Sequence, residues 1–125
     1  MRMLLAILIG VVLLSGSTSP DRATPPAVAA DTVTIREVRR GSEIGAALDG
    51  SRDALLVELP VGATEGARSS VFVVDADGVQ LRRVAVEYGR ASSPVIQIVS
   101  GLSPGDRIIV SDMRAWDRFE RLRLR

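Results

Sequence analysis

Two short apolar runs joined by an Asp/Gly tetrad constrain this chain more than any other feature. Val71–Val74 leads into Asp75-Ala76-Asp77-Gly78, and Val79–Tyr88 follows. Gly accepts the positive φ that tight turns need, and Asp hydrogen-bonds its own backbone, so the pattern predicts an antiparallel β-hairpin. In the second run Val79 and Leu81 fall on one face, whereas Val84, Val86 and Tyr88 fall on the other. Side chains alternate with period two in a strand, so a β-bulge at Arg82-Arg83 would return all five to a single buried face.

The rest of the C-terminal part is punctuated in the same way. Thr32–Val38 sets Val33 and Ile35 against Thr34 and Arg36, as in a half-buried strand, and Ala54–Leu59 is a more continuous apolar run ending at Pro60. Val95–Val99 and Arg107–Val110 flank Gly101-Leu102-Ser103-Pro104-Gly105-Asp106. Pro104 and Gly105 suit the two central positions of a type II turn, which predicts a second hairpin. Ser111–Glu120 reads as a turn or loop carrying Met113, Trp116 and Phe119. The closing Arg121-Leu122-Arg123-Leu124-Arg125 alternates, with both leucines on one face. About six short antiparallel strands without a convincing helix predict a mainly β fold, a small open β-barrel or roll, behind an N-terminal signal helix.

That helix is predicted from Met1–Leu14, where Arg2 precedes an unbroken apolar run from Leu4 to Leu14. As a helix the run is roughly 16 Å long, against a hydrocarbon core of about 30 Å, so it suits an export signal or weak anchor better than a span. Small residues at Ser15 and Ser17 place a cleavage site at the end of residues 1–17. Residues 18–30 are rich in Ser, Thr, Pro and Ala and read as a linker. The β-domain is expected over residues 31–125, long enough for one small core.

Composition narrows the function. The 125 residues include no Cys, His, Lys or Asn, and all 16 basic residues are Arg. Zinc sites, catalytic triads, disulfides, P-loop lysines and Schiff bases are therefore closed off, and no cofactor is expected. Without Arg2 the remaining Arg balance the 15 acids. Formal neutrality speaks against nucleic acid as a partner, because such proteins concentrate positive charge.

The remaining constellations have ordinary readings beside the sharper ones. Asp75-x-Asp77-Gly78 would sit mid-way in a calcium loop, but Val73 and Val84 then occupy positions that must supply oxygen, so a turn is expected. Gly41, Gly45 and Gly50 lack the Lys and the strand-to-helix context of a phosphate loop. Asp112 and Asp117 have the chemistry of a glycosidase pair, and solvated loop acids are the plainer reading. Arg121, Arg123 and Arg125 suit the wet face of an edge strand, with contact to an anionic surface as the functional alternative. Arg114, Trp116, Arg118 and Phe119 combine Arg with aromatics, as interface hot spots do, and a lid over the core is the alternative for Trp116.

Asp77-Gly78, Arg82-Arg83-Val84-Ala85-Val86, Gly89, Ile96–Val99, Gly101-Leu102-Ser103-Pro104-Gly105-Asp106 and Ser111–Asp117 occur here in one order and spacing. Residues 54–125 thereby resemble the C-terminal, membrane-proximal domain of HlyD-type periplasmic adaptors, or membrane fusion proteins, of tripartite RND and ABC (MacA-like) efflux systems. The chain departs from that family in having no charged heptads for a coiled-coil hairpin. The resemblance implies a non-enzymatic, exported subunit, truncated or stand-alone, in the periplasm or at the inner membrane. Its implied partners are an inner-membrane RND or ABC-type transporter, other adaptor copies and a membrane surface. Docking is expected through Gly89–Pro94, with Arg90 and Ser92, and through Ser111–Phe119, with Asp112, Met113, Arg114, Trp116 and Arg118. Asp77, Gly78, Gly89, Gly101, Pro104, Gly105 and Asp106 are expected to shape turns. A secreted ligand-binding module for peptide or carbohydrate, or a non-functional adaptor remnant, are the other readings.

Overall fold

The computed structural model describes residues 25–45 and 52–125. The signal expected over residues 1–17 and most of the linker lie outside the described residues. The strands are β1 (Ala27–Val28), β2 (Ile35–Glu37), β3 (Arg39–Arg40), β4 (Leu55–Glu58), β5 (Arg68–Val74), β6 (Gln80–Ser92), β7 (Val95–Ser100), β8 (Arg107–Ile109) and β9 (Arg121–Leu124). Short 3-10 turns occupy Ala30–Thr32, Gly41–Glu43 and Arg114–Trp116, and no α-helix occurs among the described residues.

The main path of the sheet runs β2-β8-β5-β6-β7-β4-β3 and is antiparallel throughout, a nearly closed, barrel-like sheet. One extended segment closes it. Ile35–Glu37 pairs with β8 while Arg39–Arg40 pairs with β4, so the two ends of the path are successive pieces of the same chain. Val38, between them, is fully buried, and its N–H donates to the Asp106 carbonyl while its own carbonyl accepts from Gly105 N–H, each at 2.8 Å. Closure removes most of the free strand edge that an open sheet would present. Arg36 and Glu58 meet across the seam at 2.7 Å, a half-exposed pair that contributes little beside the ladder.

The expected first hairpin forms, with its register unbroken from Arg68↔Glu87 to Val74↔Leu81. No bulge interrupts Arg82-Arg83, contrary to the sequence expectation. The bulge would be needed only if one face of the hairpin were wet, and here both faces are covered. Val71, Val73, Val86 and Tyr88 point into the barrel with Val38, Val57, Ile96, Ile98, Leu102, Ile108 and Val110. Phe72, Val74 and Leu81 point outward into a second cluster with Val28, Ile109 and Leu122. The register shifts in β6 occur instead against β7, between Glu87 and Tyr88 and between Tyr88 and Ala91.

The second expected hairpin does not form, because β7 lies between β6 and β4 whereas β8 lies between β5 and β2. Gly101–Asp106 is thus a crossover beneath the β5–β6 hairpin, although its tip keeps type II geometry, with Gly105 at φ +93° and Asp106 N–H donating to the Ser103 carbonyl at 3.1 Å. Gly101 is required where this connection leaves β7. At φ +106° a Cβ there would lie 2.2 Å from the Ala85 carbonyl oxygen.

Two boundaries also move. Ordered pairing begins before the expected Asp31, since β1 runs parallel to β9 and Val28 is buried in the outer cluster. Thr32 ends a 3-10 turn rather than opening a strand, and Val33 and Ile35 still pack on the outer cluster.

Candidate functional site

The Ser111–Glu120 segment leaves β8 and folds over the outer cluster. Asp112 starts it: its carboxylate accepts from the Arg114 N–H at 3.0 Å and from the Arg114 guanidinium at 2.6–3.1 Å. The Arg114 side chain, then its backbone N–H, holds the Asp112 carboxyl down at about 2, and Asp112 in turn raises Arg114. The segment then closes the Arg114–Trp116 turn, with Trp116 N–H donating to the Met113 carbonyl at 2.9 Å. Met113, Trp116 and Phe119 pack on the outer cluster, with the two rings 6.0 Å apart and tilted. Trp116 is therefore a lid residue at least in part, while Arg118 lies over the Phe119 ring at 5.3 Å.

One residue that sequence reading gave no separate role secures this segment. Arg83 Nε donates to the Phe119 carbonyl at 3.0 Å, Nη2 reaches the carbonyls of Trp116, Asp117 and Phe119, and Nη1 donates to Ser70 Oγ at 2.9 Å. Its guanidinium stacks 4.7 Å from the Phe72 ring centre, and its side chain is only 16% exposed. The planar fork of Arg suits several acceptors at once, which a Lys ammonium would meet with poorer geometry. The signal was present in the sequence: alternation puts position 83 on the face of Leu81, where a charged side chain must find partners.

Between this segment and the start of β5 lies a cleft of about 240 Å³, lined by Pro60–Ala63, Ser69–Phe72, Arg83, Tyr88, Ile109, Ser111–Arg114 and Asp117. Burial raises the Tyr88 hydroxyl above its ordinary value. Asp112, Met113 and Arg114 of the expected docking set line the cleft; Trp116 and Arg118 sit beside it on the same segment. Arg90 and Ser92 do not line it. Gly89–Ser92, expected as a loop, continues β6, with Ser92 paired to Val95 and Arg90 N–H donating to Gln97 Oε1 at 3.3 Å. Only Ser93-Pro94 turns the chain, through a cis peptide bond. Gly89 stands at the register shift, where a Cβ would come within 2.6 Å of Gln97 Oε1.

The hairpin tip is fully engaged as a turn: Asp77 Oδ1 accepts from Val79 and Gln80 N–H at 2.9 Å, and these bonds lower its carboxyl. Gly78 follows at φ +76°. Among the described residues no group of acids is placed to hold a metal ion. Asp112 and Asp117 line one cleft, but a carboxyl held near 2 by Arg114 cannot serve as the proton donor of a glycosidase pair. Among the described residues no helix is long and apolar enough to cross a membrane.

Neither a curated protein nor a solved structure matches the chain. Residues 60–115, which carry β5–β8 and the Asp112–Arg114 clasp, match the family model for the C-terminal permuted SH3 domain of RND membrane fusion proteins, the C-terminal domain of an RND-type adaptor.

Proposed function

We propose that this chain is a non-catalytic, adaptor-like subunit of an efflux or secretion pump, which docks on an inner-membrane transporter from the periplasmic side. The match over residues 60–115 carries this reading, because it covers β5–β8, four of the seven strands on the barrel path, and reaches into the exposed clasp of Ser111–Glu120. The barrel supplies a rigid platform. Arg114, with 82% of its side chain exposed, Met113, Trp116 and Arg118 form the Arg and aromatic surface that partner recognition favours. Arg83 holds that surface in one conformation, which reduces the ordering cost of association.

Co-purification in detergent with an inner-membrane RND or ABC-type transporter of the same organism tests the reading. Association is expected, and replacing Arg114 and Arg118 together by Glu should lower recovery at least tenfold while the melting temperature stays within a few degrees. Failure of the two folded proteins to associate overturns it.

A further inference from the structure

At the end of the barrel, beside the β5–β6 turn, arginines gather around a single acid. The β6–β9 register sets Arg82 opposite Arg121 and Gln80 opposite Arg123. Strand alternation turns these four away from Leu81 and Leu122, both fully buried in the outer cluster, so they share one face. Asp75 accepts from Arg82 Nε at 2.8 Å and lies 3.6 Å from Arg121 Nη1. The next acid in the turn, Asp77, is occupied by the amides of Val79 and Gln80. Among the described residues, Arg123 Nε is buried without a hydrogen-bond partner. Two guanidinium groups therefore share one carboxylate, and Arg123, two residues along β9 on the same face, adds a third cation whose Nε is desolvated without an acceptor among the described residues.

We propose that Arg82, Arg121 and Arg123 form a binding site for a phosphomonoester. Such a group carries about −1.5 to −2 charge at neutral pH, which suits a cluster of three cations, and its oxygens accept the planar forks of several arginines at once. A carboxylate ligand would supply half that charge. Arg82 and Arg121 are each about half exposed, so a ligand can reach them, and Arg123 lies on the same face of the β6–β9 pair. Arg121 and Arg123 lie beyond the residues 60–115 that match the adaptor domain, so the site is a property of this chain's β9 and is independent of the docking reading. The phosphomonoester can belong to a lipid headgroup or to a soluble molecule.

Calorimetric titration of the full chain with glycerol 3-phosphate, and flotation with phosphatidylcholine vesicles with and without phosphatidic acid, test the site and separate the sources. Saturable binding of the free phosphomonoester without recruitment to vesicles supports a soluble ligand. Recruitment to phosphatidic acid vesicles, relieved by added glycerol 3-phosphate, supports a headgroup. The pair Arg121→Gln and Arg123→Gln should weaken binding at least tenfold, with Arg68→Gln, elsewhere on β5, changing it less than twofold. Asp75→Asn removes the competing carboxylate and should tighten binding severalfold, a gain that a merely structural role cannot produce. Absence of binding in both assays, equal loss in Arg68→Gln, or weaker binding in a normally melting Asp75→Asn protein overturns the proposal.

Discussion

The β5–β6 hairpin has two apolar faces, and they are covered by different means. The barrel face meets side chains from β4, β7, β8 and Val38, all held by backbone hydrogen bonds between strands or to neighbouring turns. The outer face meets two-residue β1, β9 and the Ser111–Glu120 segment, whose hold on β6 runs largely through one side chain, Arg83. A cluster closed by strands needs no particular residue at its rim. A cluster closed by a loop depends on whatever fastens the loop, and the same arrangement leaves the exposed side of that loop available to a partner.

The barrel side should give the largest response. Ile108→Ala, at a fully buried position, is expected to cost about 3–4 kcal/mol, read from urea unfolding as one cooperative transition. Arg83→Met keeps much of the stacking surface on Phe72 and removes the donors, leaving Ser70 and the segment's carbonyls without them. We expect a loss of about 2 kcal/mol, with Trp116 emission changing at lower urea than far-ultraviolet circular dichroism. Coincident transitions would show instead that the two clusters melt as one unit.

Acid should produce the smallest effect. The folded-state carboxyl of Asp112 is held below its unfolded value, so its contribution is present above about pH 4 and disappears as pH falls toward 2, and the lowered carboxyl of Asp77 acts in the same direction. The melting temperature should therefore be flat from about pH 8 to 5 and decline below 4. Both groups are exposed, so the decline is shallow, and Asp112→Asn should flatten the part reported by Trp116.

Much of this architecture was legible in the residues. The Asp77-Gly78 tip, the type II turn at Pro104-Gly105 and the alternation of Arg121–Arg125 depend on local backbone preferences, and the structure has them as expected. The bulge at Arg82-Arg83 was inferred from a sound premise, that apolar residues share a face, but it assumed a single core. Nothing within Val79–Tyr88 reports that Trp116, Phe119 and Leu122 will cover the far side. The hairpin expected around Gly101–Asp106 failed for a similar reason: adjacency in sequence favours pairing, yet β5 and β6 already occupy the space between β7 and β8. Of the docking set, the Asp112–Arg114 part was placed in one cleft and Arg90 and Ser92 were not, since strand β6 runs on through them.

The sequence by itself determined the β class, the turns and the exclusion of thiol, imidazole and amine chemistry, because each follows from residue type and near-neighbour geometry. Only the tertiary structure decided that Ile35–Arg40 closes the barrel, that Arg83 fastens the segment over a second core, and that Arg82 and Arg121 meet on Asp75 with Arg123 on the same face. Those facts depend on register between strands distant in the chain, and register is set by the packing of the whole sheet.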